Sequence, residues 1–361
     1  MATQPKCATC NFITLNVNCS RCPILSINPN SAMFSYEECY MERALQLAAL
    51  GLGSVQPNPM VGAVIVYQGR IIGEGWHQKY GGAHAEVFAI NSVQNKELLK
   101  EATLYVTLEP CSHFGKTPPC ADLVVRMQIP RAVIGNIDHS EQVNGAGIRK
   151  LQECGTETVT GVLAAQCSWL NRRFFTFHAQ NRPYIILKWA ETADGYMDVE
   201  RNAGQPVENY WITCEALRLL NHKWRSEEDA ILVGYNTFLN DKPQLTNRLY
   251  AGKSPKRYVM TQSFNKEDSA LKAAGFEALP ESLNEALALL FEAKVQSLIV
   301  EGGKTTLERF IRAGLWDEMR VLQGNSCWGK GVAAPVKPAC CPDTVHIENN
   351  QVSIFYNPEK Q

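Results

Sequence analysis

Excess charge of either sign is missing from this 361-residue chain: 35 basic side chains meet 36 acidic ones, for a net charge of −1. No basic run stands out. That argues against a protein whose main partner is nucleic acid, which usually carries a basic footprint. Long apolar runs are missing too; none approaches the ~18 residues of a membrane span. The opening stretch MATQPKCATC lacks the charged-then-apolar order of a secretory signal. No sequence repeat relates one half to the other. Cysteine, by contrast, is plentiful, but thirteen is an odd number without a secretory context. The expectation is a reducing cytoplasm, with thiols free or on metal.

At ~150 residues per domain the length predicts two domains. Residues 1–32 differ from the rest. They hold Cys7-x-x-Cys10 and Cys19-x-x-Cys22 among Asn, Ser and Pro. The gap between the pairs is shorter than the ~15–20 residues of a zinc ribbon. A disordered or optional tail is the favoured reading, a second zinc site the other, and Met33 offers an alternative start. The first folded unit is expected over 33–179. Ser35 and Glu38 form a capping-box pattern. Met41, Ala44, Leu45 and Ala48 follow at helical spacing. Pro57 to Met60 reads as a turn feeding a strand through Val66. A hairpin turn at Gln68-Gly69 leads to a second strand, and Arg131 to Gly135 reads as a later one. Alternating helices and strands predict an α/β sandwich.

The chemistry concentrates in three short segments: His84-Ala85-Glu86, Pro110-Cys111 and Cys120. One histidine and two cysteines are three good zinc ligands, and a catalytic zinc site keeps its fourth position open. Zinc lowers the pKa of bound water to about 7. A glutamate that is not a ligand can then carry protons, the arrangement of zinc deaminases. Each piece alone says little: His-x-Glu is common, and a buried free cysteine is often just a small hydrophobe. The joint pattern is far more specific. Thr103 to Leu108 alternates like a strand. Pro110 suits a first helical turn, which would place Cys111 at a helix N-terminus, where the dipole favours thiolate. A second helix is expected from Cys120, and a third from His84 and Glu86. Eight residues separate the two cysteines, where ordinary deaminases have two.

A second α/β unit is predicted over 180–361, opening on the buried strand Tyr184 to Leu187 after Pro183. Thr213 is a candidate cap for a helix through Leu217 and Leu220. Further strands are expected at 229–234, 257–260 and 297–300. Glu301-Gly302-Gly303-Lys304-Thr305-Thr306 follows the last of these and opens a helix. Amides at such a start bind phosphate. It is neither a Walker loop, since Leu298 holds the place of the first glycine, nor G-x-G-x-x-G. A plain tight turn fits it equally well. Lys188, Asp194-Gly195 and Arg225 are each weak signals alone.

The segments TLEPCSHFGKTPPCADL, PNPMVGAVIV and GGAHAEVFAI closely resemble the bifunctional deaminase–reductase family of riboflavin biosynthesis. KWAETADG, AILVGYNTFLNDKPQLTNR and IVEGGKTTL extend the resemblance through the second half. It implies a cytidine-deaminase-like α/β/α sandwich followed by a dihydrofolate-reductase-like α/β domain. It implies one zinc per chain on His84, Cys111 and Cys120, with Glu86 as proton carrier. Asn58, His77, His113 and Lys116 match positions that hold the phosphoribosyl pyrimidine substrate. Lys188 matches a lysine with a proposed catalytic role in the reductase half. Ala190, Trp211, Thr237, Asp241, Gly303, Lys304, Thr305, Thr306 and Leu307 match an NADPH site. Asn209, Arg225, Leu245, Arg248 and Glu301 match the reductase substrate site. Guanidinium groups at Arg225 and Arg248 suit phosphate. From the residues alone, Trp211 and Leu245 also read as core side chains.

The chain departs from the family at Asp138-His139-Ser140-Glu141, at Met260-Thr261 and at Asn209. A deaminase with a degenerate reductase half is therefore the alternative. The expected partners are a small substrate and other copies of the chain in a homo-oligomer, with neither nucleic acid nor membrane.

Overall fold

The structure, a computed structural model, describes residues 35–112, 118–137, 145–200 and 211–360. The N-terminal cysteines Cys7, Cys10, Cys19 and Cys22 lie outside the described residues. So do His113, Lys116, Asn209 and the segment 138–144.

The first helix, α1 (Tyr36–Ala49), starts on the capping box: Glu38 N–H donates to Ser35 Oγ at 3.2 Å, and Ser35 N–H to the Glu38 carboxylate at 2.8 Å. Such a cap is worth about 1 kcal/mol. Strands β1 (Gly62–Tyr67) and β2 (Arg70–Trp76) form an antiparallel hairpin. Its turn residues Gln68 and Gly69 both take positive φ, 46° and 74°, which matches the twist of the strands. There follow α2 (Ala85–Ser92), β3 (Thr103–Leu108), α3 (Cys120–Arg126), β4 (Arg131–Asn136), α4 (Ala146–Glu153) and β5 (Glu157–Thr160). Two helices close the first unit, α5 (Ala164–Leu170) and α6 (Arg172–Gln180). The sheet order is β2-β1-β3-β4-β5, with β3, β4 and β5 parallel. Alternate β1 residues face opposite layers. Ala63 and Ile65 pack with α2 and α3, whereas Val64 and Val66 pack with α1 and Cys167 of α5. This is the expected sandwich.

The second unit contains β6 (Tyr184–Glu191), β7 (Tyr196–Asp198), α7 (Glu215–Glu227), β8 (Ala230–Gly234), α8 (Tyr235–Asp241), β9 (Lys256–Thr261) and α9 (Ser269–Ala273). It continues through β10 (Glu277–Pro280), α10 (Leu283–Glu292), β11 (Ser297–Val300), α11 (Lys304–Arg312), β12 (Glu318–Gln323), β13 (Val332–Ala333), β14 (Asp343–Ile347) and β15 (Asn350–Tyr356). Eight of these strands run β10-β9-β8-β11-β6-β12-β15-β14, parallel as far as β12 and antiparallel beyond it. The central strands are buried on both faces, as parallel strands under helices must be. Ile185 and Leu187 meet α10 and α11; Tyr184 and Ile186 meet α7 and α9. Thr213 does not cap α7. The cap position is Cys214, and no side chain bonds there. Among the described residues no helix is long and apolar enough to cross a membrane.

Buried charges join the two units. Arg173 on α6 donates to the Glu228 carboxylate, which Arg320 also reaches at 3.3 Å. Within the second unit, Arg182 grips Asp317 with two bonds, 2.6 and 2.7 Å long. The 53–60 loop leans on the second unit as well. Gln56 Nε2 donates to Glu227 O at 3.4 Å, Gln296 Nε2 to Pro57 O at 2.8 Å, and Lys253 Nζ to Gln56 Oε1 at 3.3 Å.

Candidate active sites

In the first unit, α2 lies so close on β2 that a Cβ at Gly75 would sit 2.4 Å from Ala89 N. That approach seats the first turn of α2 over the sheet. His84 is its N-cap residue and Glu86 lies within its first turn, buried. Cys120 opens α3, as expected. Cys111 does not start a helix: the described residues around it, 109–112, are extended or irregular. The cause is Glu109. Its buried carboxylate accepts from Gly145 N at 3.0 Å, Gly147 N at 2.8 Å and Ile148 N at 3.3 Å. These are open amides at the start of α4, where a carboxylate is favoured. Pro110 is thereby held against α4, and a Cβ at Gly147 would come within 1.9 Å of Pro110 O. On the other side, Ala121 N–H donates to Cys111 O at 3.1 Å.

The result is a triangle. His84 Nδ1 lies 3.5 Å from Cys111 Sγ and 3.2 Å from Cys120 Sγ, and all three donor atoms fall within 4.8 Å of one another. A tetrahedral zinc ~2.3 Å from sulfur and ~2.0 Å from nitrogen spaces such atoms about 3.5 Å apart, so the donor set fits. Protonation tells the same story. The Cys111 thiol is drawn down to about 4, chiefly because Cys120 donates to it, with burial opposing and His84 assisting. The Cys120 thiol is pushed up by that same bond and by burial. The pair shares one proton, and a divalent cation would let both ionise. Glu86 faces this cluster. Burial first, then the negative Cys111, raises its carboxyl to about 6, and its buried Oε2 has no hydrogen-bond partner among the described residues.

Asn58 and His77 meet beside the triangle. His77 Nδ1–H donates to Ala83 O at 2.9 Å, which leaves Nε2 to accept from Asn58 Nδ2 at 3.1 Å. Burial lowers the His77 pKa, so the ring stays neutral. That fixed tautomer orients the Asn58 amide, whose Oδ1 is the acceptor it offers. Asn171, which the sequence reading missed, braces the loop: it accepts from Met60 N and donates to Met60 O, both at 2.8 Å.

In the second unit, β6, β8 and β11 bring their carboxyl ends together where the strand order reverses. Open parallel sheets bind ligands there. Lys188 and Glu301 stand side by side. Lys188 Nζ is 3.7 Å from Glu301 Oε1, and Arg225 Nη2 donates to Glu301 Oε2 at 2.8 Å. Burial would raise the Glu301 carboxyl, but Arg225 and Lys188 outweigh it and hold it at about 2. Burial lowers the Lys188 ammonium, with Glu301 opposing. Glu301 Oε1 and Arg225 Nε are buried without hydrogen-bond partners among the described residues.

Ala190 lies two residues past Lys188 on β6. Thr237 Oγ1 accepts from Gly303 N–H at 3.0 Å, tying α8 to the start of α11. Among the described residues no side chain caps α11. A Cβ at Gly302 would sit 2.9 Å from the Thr306 side chain, so the turn presents bare backbone. This cradle suits the phosphates of a nicotinamide cofactor. Lys304 is paired with Glu308 at 3.8 Å, and the Leu307 side chain is fully buried in the core. Trp211 is 66% exposed with Arg218 stacked on it, which rules out the core reading; Leu245 is 5% exposed, which fits it. Asp241 ends α8. Arg248 is anchored through its backbone N–H, which donates to His222 Nδ1 at 3.0 Å.

Residues 35–136 match the cytidine and deoxycytidylate deaminase zinc-binding region, and residues 183–338 match the RibD C-terminal domain. The riboflavin biosynthesis protein RibD of Aquifex aeolicus is 38% identical over 321 residues, covering 81% of this chain and 88% of the relative. The chain belongs to the RibD family. The Bacillus amyloliquefaciens RibD is 39% identical, covering 78% of this chain and 83% of its own. A crystal structure of the Thermotoga maritima diaminohydroxyphosphoribosylaminopyrimidine deaminase/5-amino-6-(5-phosphoribosylamino)uracil reductase is 34% identical with a TM-score of 0.76. It covers 89% of this chain and 99% of that one. Acinetobacter baumannii RibD gives a TM-score of 0.78 at 28% identity, over 89% of this chain and 98% of that one. Both RibD halves are thus present in one chain, a deaminase with a zinc-binding region and a reductase.

Proposed function

We propose that this RibD chain performs two successive steps of riboflavin biosynthesis. The first is hydrolytic deamination of 2,5-diamino-6-(5-phosphoribosylamino)pyrimidin-4-one. The second is NADPH-dependent reduction of the ribosyl chain to ribityl, giving 5-amino-6-(5-phosphoribitylamino)uracil. The observation that carries the reading is the buried Glu86 carboxylate, partnerless at Oε2, facing the His84–Cys111–Cys120 triangle.

When bound, one zinc per chain makes water nucleophilic near neutral pH. His84, Cys111 and Cys120 hold the ion. Glu86 takes a proton at Oε2 and delivers it to the departing ammonia, a transfer that favours a group with its pKa near the working pH. Asn58 Oδ1 accepts from an amino or ring N–H of the pyrimidine, and His77 keeps it so oriented. His113 and Lys116 take the phosphoribosyl end.

In the reductase half, the nicotinamide supplies hydride when bound. The backbone at Lys304 and Thr305 would receive its phosphates; Gly303, Thr306 and Leu307 shape that turn through bonds to Thr237 Oγ1 and Gly303 O, and Ala190, Trp211 and Asp241 would line the remainder. Lys188, buried beside Glu301, holds a proton at Nζ toward the sugar. Arg225, Arg248, Leu245, Glu301 and Asn209 bind the substrate. The intact Lys188–Glu301–Arg225 cluster speaks against a degenerate reductase half. The two catalytic units divide near residue 180, as 33–179 and 180–361, and the assembly is a cytoplasmic homo-oligomer.

Chromatography of products from the diaminopyrimidine, with and without NADPH, tests the assignment. Glu86→Gln is expected to release no ammonia yet to reduce the deaminated intermediate at the normal rate. Lys188→Ala is expected to accumulate that intermediate. An active Glu86→Gln enzyme would refute the assignment of Glu86.

A further inference from the structure

Helix α7 presents His222 and Arg225 three residues apart, on one face. Both reach the turn that carries Leu245 and Arg248. Arg225 Nη1 donates to Thr246 O at 3.4 Å, and Arg248 N–H donates to His222 Nδ1 at 3.0 Å. Just ahead of these two ties, Leu245 is buried in a left-handed backbone conformation, φ 51°. A branched side chain adopts that region only when its surroundings impose it. His222 is itself buried, at 5% exposure.

We propose that His222 is a positioning residue of the reductase site: its unprotonated Nδ1 latches the 244–248 turn and so sets the affinity for the substrate's phosphoribosyl end. The inference rests on the reading of Leu245 and Arg248 as substrate contacts. A ring nitrogen that accepts from a backbone N–H carries no proton, so the latch holds only while the imidazole is neutral. The surroundings favour that state. Burial first, then Arg225 on the same helix and Arg248 on the turn, lower the His222 pKa. The side chain of Asn247 and the Glu301 carboxylate act the other way. Protonation would remove the acceptor and place a third cation beside two guanidinium groups. Lys188 and the α11 turn sit on other elements, so the loss falls on KM and spares kcat.

The test measures NADPH oxidation on the deaminated phosphoribosyl pyrimidine from about pH 5 to 8, the range in which imidazole titrates. Ammonia release by the same chain reports folding. His222→Leu is expected to raise KM about tenfold at neutral pH, the order of one buried hydrogen bond with its orphaned donor. His222→Asn offers an amide oxygen to the same N–H and cannot protonate. It is expected to keep KM within about threefold of wild type and to lose the rise in KM that wild type shows below the ordinary imidazole value of about 6.5. Unchanged KM in His222→Leu, alongside a raised KM in Arg248→Ala, would overturn the latch alone. Unchanged KM in Arg248→Ala would overturn the substrate reading and the latch with it. A His222→Asn enzyme with the wild-type acid rise would also overturn the latch.

Discussion

Replacing Gly147 with alanine sets two effects against each other. Gly147 is the second residue of α4, where helix propensity favours alanine by about 1 kcal/mol. Space says the opposite. The new Cβ would lie 1.9 Å from Pro110 O, where ordinary contact begins at 3.4 Å, so about 1.5 Å must be found. The obstacle is backbone and cannot swing aside. If α4 retreats, the three amide bonds to Glu109 stretch, and bonds to a charged group are worth about 1.5–3 kcal/mol each. If the Pro110–Cys111 peptide retreats, Sγ of the ligand moves with it. Metal sites tolerate about 0.2 Å. A 1 Å misplacement typically costs about 100-fold in rate. Either way the steric term exceeds the propensity gain. The expectation for Gly147→Ala is at least a 100-fold fall in ammonia release and faster loss of zinc to a chelator. NADPH oxidation on the deaminated intermediate should be unchanged. Normal ammonia release with normal zinc retention would refute the reasoning that α4 holds Cys111 in place.

Glu228 is fully buried between Arg173 and Arg320, so Glu228→Gln removes a carboxylate that pairs with both guanidinium groups. Breaking a buried pair costs about 3–5 kcal/mol, which should appear as a lower urea midpoint; an unmoved midpoint would contradict it. Acid should weaken the second unit in a defined window. Burial raises the Glu301 and Glu318 carboxyls, but neighbouring cations overrule it and hold both at about 2, against an ordinary 4.5. Groups with depressed folded pKa values stabilise above the unfolded value and lose that contribution as pH falls through the folded one. Stability of the β6–β12 sheet, followed by near-ultraviolet circular dichroism, should therefore fall between about pH 4.5 and 2 and not before.

Local patterns were legible in the sequence. Ser35 with Glu38, Gln68-Gly69, and His84-x-Glu86 each act within a few residues, so neighbours alone determine them. Errors arose where a distant partner overrides a local preference. Pro110 favours a helical turn, yet Glu109 reaches amides 36 to 39 residues ahead and pulls Cys111 out of that path. Thr213 is a good capping residue by type, but α7 begins one residue later. Trp211 also reads as core by residue type, yet it stands exposed with Arg218 stacked on its face. His222 carried a signal that went unused, its helical spacing to Arg225. Nothing local marked it as a partner of Arg248, 26 residues on. The antiparallel pair β14 and β15 at the sheet edge lies past residue 338, where the match to the RibD C-terminal domain ends.

The loop carrying Asn58 has its buttress on foreign ground. Gln296, Lys253 and the end of α7 clasp Gln56 and Pro57 from the reductase side. A gene cut near codon 180 would therefore yield a deaminase whose specificity loop had lost its outer wall, even though its metal ligands all remained on one fragment. Swapping either half for that of a distant relative would face the same seam. Gln296 and Lys253 brace a loop whose reaction neither takes part in.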